Sequence, residues 1–172
     1  MNVLAFSPDG GSVVAARNIL REGSIFALDV WSATSGKKAS TLPVSPDAVE
    51  HAGLVSSVTV ASGGRFLASG SHDHSIRLWD LGSLQCLERL YGNSSEVWAV
   101  AFPAGGHGVL SGAKDGTVRL WPTNTASRER FYEGNWNPIK FSQDGRLLAA
   151  VDGMSRFVLL NLTRRTRAEL TT

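Results

Sequence analysis

The chain has 172 residues, 42% hydrophobic and 19% charged, which is ordinary for a soluble globular protein and long enough to bury a core. The formal net charge is only +2, which gives no indication of a nucleic-acid partner. No stretch approaches the roughly 18 uninterrupted apolar residues of a membrane span, so the sequence does not indicate a membrane protein. The 18 glycines favour an all-β chain with many tight turns, and the single Cys86 cannot form an internal disulfide, which agrees with a cytoplasmic, intracellular protein.

The first unit, about residues 2–43, has the pattern of strands separated by turns. One apolar strand ends at Phe6 and enters the turn Ser7-Pro8-Asp9-Gly10, a second covers residues 13–16, and a later one ends at Trp31. Short apolar runs bounded by glycine turns are typical of strands. The step from Phe6 to Trp31 is 25 residues, which predicts a long loop over residues 17–23. Loops of this length are often functional, but a tolerated insertion is the commoner explanation, and the sequence does not decide between them.

The later units, about residues 54–90, 96–132 and 136–171, repeat one spacing. An apolar residue closes the first strand of each unit and another closes the third, 19 residues later each time: Val60 and Trp79, Phe102 and Trp121, Phe141 and Leu160. The two tryptophans are 42 residues apart, a period at which repeat proteins build one unit of several strands. Alternation in Ile76-Arg77-Leu78-Trp79 places one face of the strand in a core and the other toward solvent or the next unit.

The chain ends with a basic stretch that contains Arg164, Arg165 and Arg167. A nucleic-acid footprint is usually larger and interleaved with aromatic residues. We therefore interpret this stretch as a solvated turn before a last strand at residues 167–170.

The second unit closely resembles the WD40 repeat, from His51 through Leu67-Ala68-Ser69-Gly70-Ser71-His72-Asp73-His74-Ser75-Ile76-Arg77-Leu78-Trp79-Asp80. The third unit resembles the repeat nearly as well, with Pro122 in place of the usual aspartate. The first unit keeps the Ser-Pro-Asp-Gly turn and Trp31, and the fourth unit keeps Asp144-Gly145. The resemblance implies an all-β fold, a partial WD40-type β-propeller of four antiparallel four-stranded blades.

The resemblance also implies a hydrogen-bonded tetrad that holds each well-matched blade together. Its members in the second unit would be His51, Ser69, Asp73 and Trp79, and in the third Asn93, Ser111, Asp115 and Trp121. Because asparagine replaces histidine in the third unit, we expect a looser network there. The corresponding residues of the fourth unit are Tyr132, Ala150, Met154 and Leu160, so we expect no tetrad in that unit.

Two enzyme-like patterns have simpler interpretations. Ser69, His51 and Asp73 have the composition of a hydrolase triad, but the family places them between strands with the hydroxyl satisfied internally, so we expect no enzyme. His72 and His74 flank Asp73 like metal ligands, yet they lie on a turn with opposed side chains and no cysteine pair supports them. We predict no metal and no cofactor.

The resemblance implies a protein or peptide partner on the top face, where the first strands begin and the b-to-c loops emerge. The candidate residues are Leu54, Ser56 and His72 in the second unit, Glu96, Trp98 and Lys114 in the third, and Asn135, Asn137 and Gly153 in the fourth. We favour Trp98, because tryptophan is enriched at interface hot spots, although packing beneath a neighbouring loop is the alternative. Alternation along the strand places Trp136 on the inward side, in the core.

Four blades are fewer than the about seven that most family members close into a ring, so apolar faces on the first and fourth units would need cover. Two copies could pair into an eight-bladed ring, a second polypeptide could add blades, or the chain could be a piece of a longer protein. We favour the last, since the terminal units do not look like polar caps. The expected function is a non-catalytic protein-interaction scaffold; the alternative is a regulatory or sensor portion of a larger signalling enzyme, such as a kinase, ATPase or protease.

Overall fold

A computed structural model describes residues 3–19, 25–42, 51–103, 108–122, 129–132, 136–152, 154–162, 164 and 166–169. Within these ranges the chain forms strands joined by turns and no α-helix. Accordingly, none of the described residues belongs to a helix with the length and apolar character needed to cross a membrane.

The strands form four separate antiparallel sheets of four strands, each built from consecutive strands in chain order. We name these sheets blades 1 to 4. Blade 1 contains β1 (Val3–Phe6), β2 (Ser12–Ile19), β3 (Ile25–Ser32) and β4 (Lys38–Leu42). Blade 2 contains β5 (Val55–Val60), β6 (Phe66–Ser71), β7 (Ile76–Asp80) and β8 (Gln85–Leu90). Blade 3 contains β9 (Val97–Ala101), β10 (Val109–Ala113), β11 (Val118–Trp121) and β12 (Glu129–Tyr132), and blade 4 contains β13 (Trp136–Phe141), β14 (Leu147–Asp152), β15 (Phe157–Asn161) and β16 (Thr166–Glu169).

The core lies in three seams between neighbouring blades, and the first strands β1, β5, β9 and β13 contact each other in succession. In the first seam, Val14 and Leu28 of blade 1 pack with Leu67 and Trp79 of blade 2. The second seam joins blades 2 and 3 around Ile76 and Trp121, and the third joins blades 3 and 4 around Leu110, Leu148 and Leu160. Burying one such large side chain contributes about 1.5–3 kcal/mol.

The middle blades are covered on both faces. All five residues of β7 are buried, although Arg77 and Asp80 are charged. Trp79 of this strand contributes to the first seam, whereas Ile76 and Leu78 contribute to the second. The second face of β7 therefore packs against the next blade. The sequence pattern had left two environments open for this face, solvent or the next unit.

The predicted loop over residues 17–23 is wrong in its first part. β2 continues through Ile19, and Arg17, Asn18 and Ile19 pair with residues 27, 26 and 25 of β3. The extra residues therefore lengthen a hairpin, because pairing satisfies backbone groups that a surface loop would leave to water. Residues 20–23 of the predicted loop lie outside the described residues.

The Ser-x-Asp-Gly turns of blades 1 and 4 have the same geometry. Ser7 Oγ accepts a hydrogen bond from Ser12 N at 2.8 Å, and Ser142 Oγ accepts one from Leu147 N at 3.0 Å. Gly145 has φ of 66°, a left-handed conformation, and an added Cβ would lie 2.7 Å from the carbonyl oxygen of Phe102. Glycine is required there for both backbone conformation and close packing of blade 4 on blade 3.

Replacing Gly70 with alanine tests how tightly blades 2 and 3 pack. A Cβ at Gly70 would lie 2.6 Å from Val97 Cγ1 and 2.8 Å from Val100 Cγ1, both in the second seam. We expect Gly70→Ala to lower the free energy of unfolding by about 1–3 kcal/mol through overpacking. Urea denaturation would measure it, with Gly63→Ala as the matched control because an added Cβ there meets nothing within 4 Å.

Candidate functional site

Blade 2 contains a continuous chain of buried hydrogen bonds between four side chains. Trp79 Nε1 donates to Ser69 Oγ at 2.9 Å, Ser69 Oγ lies 2.8 Å from His51 Nε2, and His51 Nδ1 lies 2.8 Å from Asp73 Oδ2. Ser69 and His51 are buried, and Asp73 also accepts hydrogen bonds from Ala52 N at 2.9 Å and Ser75 Oγ at 2.6 Å. The structure thus brings together the four side chains expected to form the tetrad, linking the loop before β5 to β6, β7 and the turn between them.

A neutral His51 fits this chain of hydrogen bonds. The ionised carboxylate of Asp73 can only accept, so the proton of a neutral imidazole lies on Nδ1, which donates it to Asp73 and leaves Nε2 to accept from the Ser69 hydroxyl. Burial lowers the pKa of His51, and the attraction of Asp73 only partly offsets this. Burial alone would raise the pKa of Asp73, but hydrogen bonds from His51 and Ser75 outweigh it and hold that pKa well below its ordinary value.

The corresponding side chains of blade 3 form an interrupted network. Trp121 Nε1 donates to Ser111 Oγ at 2.8 Å, but Ser111 Oγ is 3.4 Å from Asn93 Oδ1. Asn93 Nδ2 is buried and has no hydrogen-bond partner among the described residues. Asp115 instead accepts hydrogen bonds from Ser94 Oγ and from Thr117, whose Oγ1 lies at 2.7 Å. The amide therefore does not connect the serine to the aspartate as the imidazole does in blade 2.

Blade 4 has a different polar arrangement. Ala150 and Leu160 are fully buried, Met154 is 77% exposed, and the side chain of Tyr132 lies outside the described residues. Asp152, at the end of β14, accepts hydrogen bonds from the backbone of Arg156 at 3.0 Å, from its guanidinium at 2.8 Å, and from Arg167 at 2.8 Å. The hydrogen bonds from Arg156, the backbone one foremost, and from the backbone of Met154 outweigh the effect of burial and lower the pKa of Asp152 to about 2.

Two polar centres of the structure are not predicted from the sequence. One is Asp152; its only signal was an aspartate at a strand end with arginines downstream. The other is Asp29 in blade 1, which is buried and contacts Arg17 Nε at 3.0 Å and Thr41 Oγ1 at 2.6 Å. Asp29 lies two residues before Trp31, and blades 2 and 3 have an arginine at the corresponding position. This change from a positive to a negative residue is the sequence signal that could have identified Asp29.

The residues that resemble a hydrolase triad lack an exposed nucleophile. The Ser69 hydroxyl is fully buried and already shared between Trp79 and His51, so it cannot meet a substrate. His72 is partly buried and His74 exposed. Among the residues that the structure describes, no group of three or more histidine, cysteine, aspartate or glutamate residues is placed to hold a metal ion.

A second cluster, which we call the top-face cluster, consists of His72, Glu96, Trp98 and Lys114. Glu96 Oε2 accepts a hydrogen bond from Trp98 Nε1 at 3.3 Å and lies 3.0 Å from Lys114 Nζ. The hydrogen bond from Lys114 is the main cause that lowers the pKa of Glu96, with smaller effects from Trp98 and the nearby charge of His72. Backbone hydrogen bonds tie the turns to the strand beginnings, from Lys114 N to Glu96 O and from His72 N to Leu54 O, each at 2.9 Å.

Trp98 is the extra residue of a β-bulge. Val97 pairs with Ala113 and Ala99 pairs with Gly112, so Trp98 has no opposite partner on β10. Regular alternation would place Val97 and Ala99 on one side of β9, but this prediction is wrong: Val97 lies in the second seam and Ala99 in the third, because the bulge shifts the register, and Trp98 is only partly buried. Bulges redirect a side chain and frequently occur next to functional sites. The tryptophan is therefore an unpaired residue of the strand that stays less buried than its neighbours Val97 and Ala99.

The other residues proposed for the top face have mixed positions. Ser56 occupies the equivalent bulge of blade 2, but it is buried and its hydroxyl contacts the carbonyl oxygens of Gly70, at 3.0 Å, and Val97. Leu54 is partly buried and Asn137 is exposed. Asn135, Gly153 and the side chain of Trp136 lie outside the described residues.

Removing one serine from each network should reveal their difference. Ser69→Ala would leave both Trp79 Nε1 and His51 Nε2 buried without this partner, and we expect it to lower the free energy of unfolding by about 2–4 kcal/mol. Ser111→Ala, the matched variant in blade 3, should cost about 1 kcal/mol, since one short hydrogen bond is lost there. Equal losses in urea denaturation would show that the interruption at Asn93 has no energetic consequence.

Acidification should destabilise the fold through His51. Because its pKa is lower in the folded than in the unfolded chain, unfolding takes up a proton, and stability present above the ordinary pKa of 6.5 is lost as the pH falls below it. Asp73 adds a further loss below its ordinary value of 3.8. Urea denaturation of the native chain should show that the free energy of unfolding falls as the pH is lowered from 7.5 to 5. The His51→Asn variant should be less stable at pH 7.5, and its free energy of unfolding should change little over this range. The same pH dependence in both proteins would contradict the assignment to His51.

Comparison with known proteins places these features in a family. The family model described as WD domain, G-beta repeat matches residues 44–80 and 84–122. Human WD repeat-containing protein 18 is 39% identical over 70 residues, covering 38% of this chain and 16% of that protein. The periodic tryptophan protein 2 homolog of Schizosaccharomyces pombe is 32% identical over 99 residues, covering 58% of this chain and 10% of that protein.

Solved structures show the same fold. The WD40 repeats of RRP9 superpose with a TM-score of 0.79 and U3-55K with 0.78, each at 21% sequence identity and over 98% of this chain. The chain spans half the length of each of these solved chains. The chain therefore contains two WD40 repeats, at residues 44–80 and 84–122, and its four four-stranded blades have the fold of a partial WD40-type β-propeller.

Proposed function

We propose that this chain is a non-catalytic scaffold that binds a protein or peptide partner through its top-face cluster, as part of a propeller with more blades than these four. The observation that carries the proposal is the bulge at Trp98, whose indole N–H binds a Glu96 carboxylate oxygen that also contacts the ammonium group of Lys114. Tryptophan flanked by polar groups is the residue type that most often contributes a binding hot spot.

The contacts of Glu96 support a binding surface that is already organised. One carboxylate oxygen holds the indole N–H of Trp98 and the ammonium group of Lys114, so both side chains have restricted conformations before any partner arrives. Side chains that are ordered in advance lose less entropy on binding. The side chain of Lys114 is 52% exposed, which leaves donor capacity for a partner's carbonyl or carboxylate groups.

The buried position of Ser69 supports a binding role over a catalytic one, because a nucleophile must reach its substrate. The proposal includes no cofactor. It includes neither nucleic acid nor membrane as partner, since a net charge of +2 gives little electrostatic attraction for either.

Selection from a phage-displayed library of random peptides on the purified chain tests this proposal. We expect enriched peptides whose affinity, measured by fluorescence anisotropy with synthetic copies, falls at least about tenfold in Trp98→Ala, as truncation of a hot-spot residue would cause. Leu87→Ala is the matched control, since Leu87 is 51% exposed on β8, in the outer strand of blade 2. Selected peptides that bind Trp98→Ala as well as the native chain would refute the top-face assignment.

A further inference from the structure

The top-face cluster depends on how two segments of blade 3 meet. Glu96 directly precedes β9, and Lys114 lies in the turn between β10 and β11. One backbone hydrogen bond, from Lys114 N to Glu96 O at 2.9 Å, joins the two segments. A single hydrogen bond is a pivot, because the segments can still rotate about it. A second connection would hold them in the one orientation that brings the two charged groups within 3.0 Å.

Blade 2 makes the second connection in its interior. The same pivot is present there, from His72 N to Leu54 O at 2.9 Å. His51 Nδ1 lies 2.8 Å from Asp73 Oδ2, so the buried imidazole ties the segment before β5 to the turn between β6 and β7. Ala52, the next residue, donates its backbone N–H to the same carboxylate oxygen at 2.9 Å.

Blade 3 makes this connection at its surface. Asn93 stands at the position of His51, and its buried Nδ2 has no hydrogen-bond partner among the described residues. Ser94, the next residue, stands at the position of Ala52 and donates its hydroxyl proton to Asp115 Oδ2. Both Ser94 and Asp115 are exposed. A serine hydroxyl in contact with solvent therefore links the segment to the turn, as the buried imidazole does in blade 2.

We propose that Ser94 and Asp115 are positioning residues of the top-face site, because their hydrogen bond sets the orientation of the two segments that carry the cluster. The proposal rests on the binding function proposed above. Asp115 directly follows Lys114, and Ser94 lies two residues before Glu96. The hydrogen bond between them therefore lies beside the backbone pivot, and the two connections together oppose rotation of the segments.

The contacts on either side make this a connection between two fixed points. Asp115 Oδ1 accepts hydrogen bonds from Thr117 N at 3.0 Å and from Thr117 Oγ1 at 2.7 Å, which hold the carboxylate within its own turn. The other oxygen, Oδ2, is the one that receives the Ser94 proton. Arg119 Nη1 donates to Gly92 O, so the segment is also held two residues before Ser94.

Exposure separates this hydrogen bond from the buried network in its energetic role. Water can replace the lost partner of an exposed hydroxyl or carboxylate, so removal of the Ser94 hydroxyl should cost little stability. The consequence should instead appear at the cluster. If the two segments can rotate, Glu96 no longer holds Trp98 and Lys114 in place, and these side chains must be ordered when a partner binds.

The indole N–H signal of Trp98 in a proton–nitrogen correlation NMR spectrum tests the connection without any partner. In Ser94→Ala we expect this signal to move toward its position in Glu96→Ala, where the 3.3 Å hydrogen bond to the carboxylate is absent. The Trp121 indole, bound to Ser111 inside the same blade, should not move. Ser94→Thr keeps the hydroxyl and should leave both signals unchanged. A fixed Trp98 signal in Ser94→Ala, or a shift of both signals, would overturn the proposal.

Peptide affinity tests whether the connection serves binding. We expect the peptides selected on the native chain to bind Ser94→Ala about threefold to tenfold more weakly, since side chains ordered only on binding lower the affinity. Ser142→Ala is the matched control, because it also removes a serine-to-aspartate hydrogen bond, the 2.6 Å contact with Asp144 in the turn between β13 and β14. It should bind as the native chain does. Native affinity in Ser94→Ala, or an equal loss in the two variants, would speak against a positioning role.

Asn93→His moves the connection into the interior of blade 3. An imidazole at this position can bind Asp115 as His51 binds Asp73, which would make the Ser94 hydroxyl redundant. Ser94→Ala should therefore weaken peptide binding in the native chain and have little effect in the Asn93→His chain. An equal loss in both backgrounds would overturn the proposal. The NMR and affinity measurements on the single Ser94 variants decide it even where Asn93→His does not fold.

The variants also separate this proposal from the binding function on which it rests. If Trp98→Ala weakens peptide binding and Ser94→Ala does not, the positioning role alone is overturned. If the peptides bind Trp98→Ala as tightly as the native chain, the top-face site itself is wrong, and the positioning role falls with it.

Discussion

Blades 2 and 3 are four-stranded sheets with apolar side chains on both faces, and the fold depends on covering both. A single sheet with two such faces cannot be stable alone in water, because the apolar surface on its second side remains hydrated. The seams meet this need by stacking Trp79 and Leu67 on blade 1 and Ala68 and Ile76 on blade 3. Stability is consequently shared between neighbouring blades, as in other repeat proteins.

The polar networks are secondary to the seams and differ from blade to blade. Blade 2 carries a complete chain from Trp79 to Asp73, blade 3 breaks it at Asn93, and blade 4 replaces it with Asp152 and its arginines. All three blades nevertheless have the same strand order. A buried network fixes the position of a turn relative to its strands, whereas apolar packing determines that the blade forms at all.

The top face shows how local irregularity arises from a regular repeat. Blades 2 and 3 each have a bulge at the same place in the first strand, but Ser56 turns its hydroxyl into the seam and Trp98 remains partly exposed beside Glu96. The same backbone feature thus serves internal packing in one blade and surface presentation in the next. Loop and bulge positions on a rigid scaffold can differ in this way without a change of fold.

The sequence by itself determined the all-β class, the repeat and the WD40 resemblance, because 19-residue spacings and glycine turns are local properties. It also identified residues that the structure brings together across strands, such as His51 and Asp73, through family resemblance. Only the tertiary structure decided that β2 runs to Ile19, that Ser56 is buried, and that Asp29 and Asp152 are ion-pair centres. These features depend on residues from other strands or blades, whose approach no local pattern specifies.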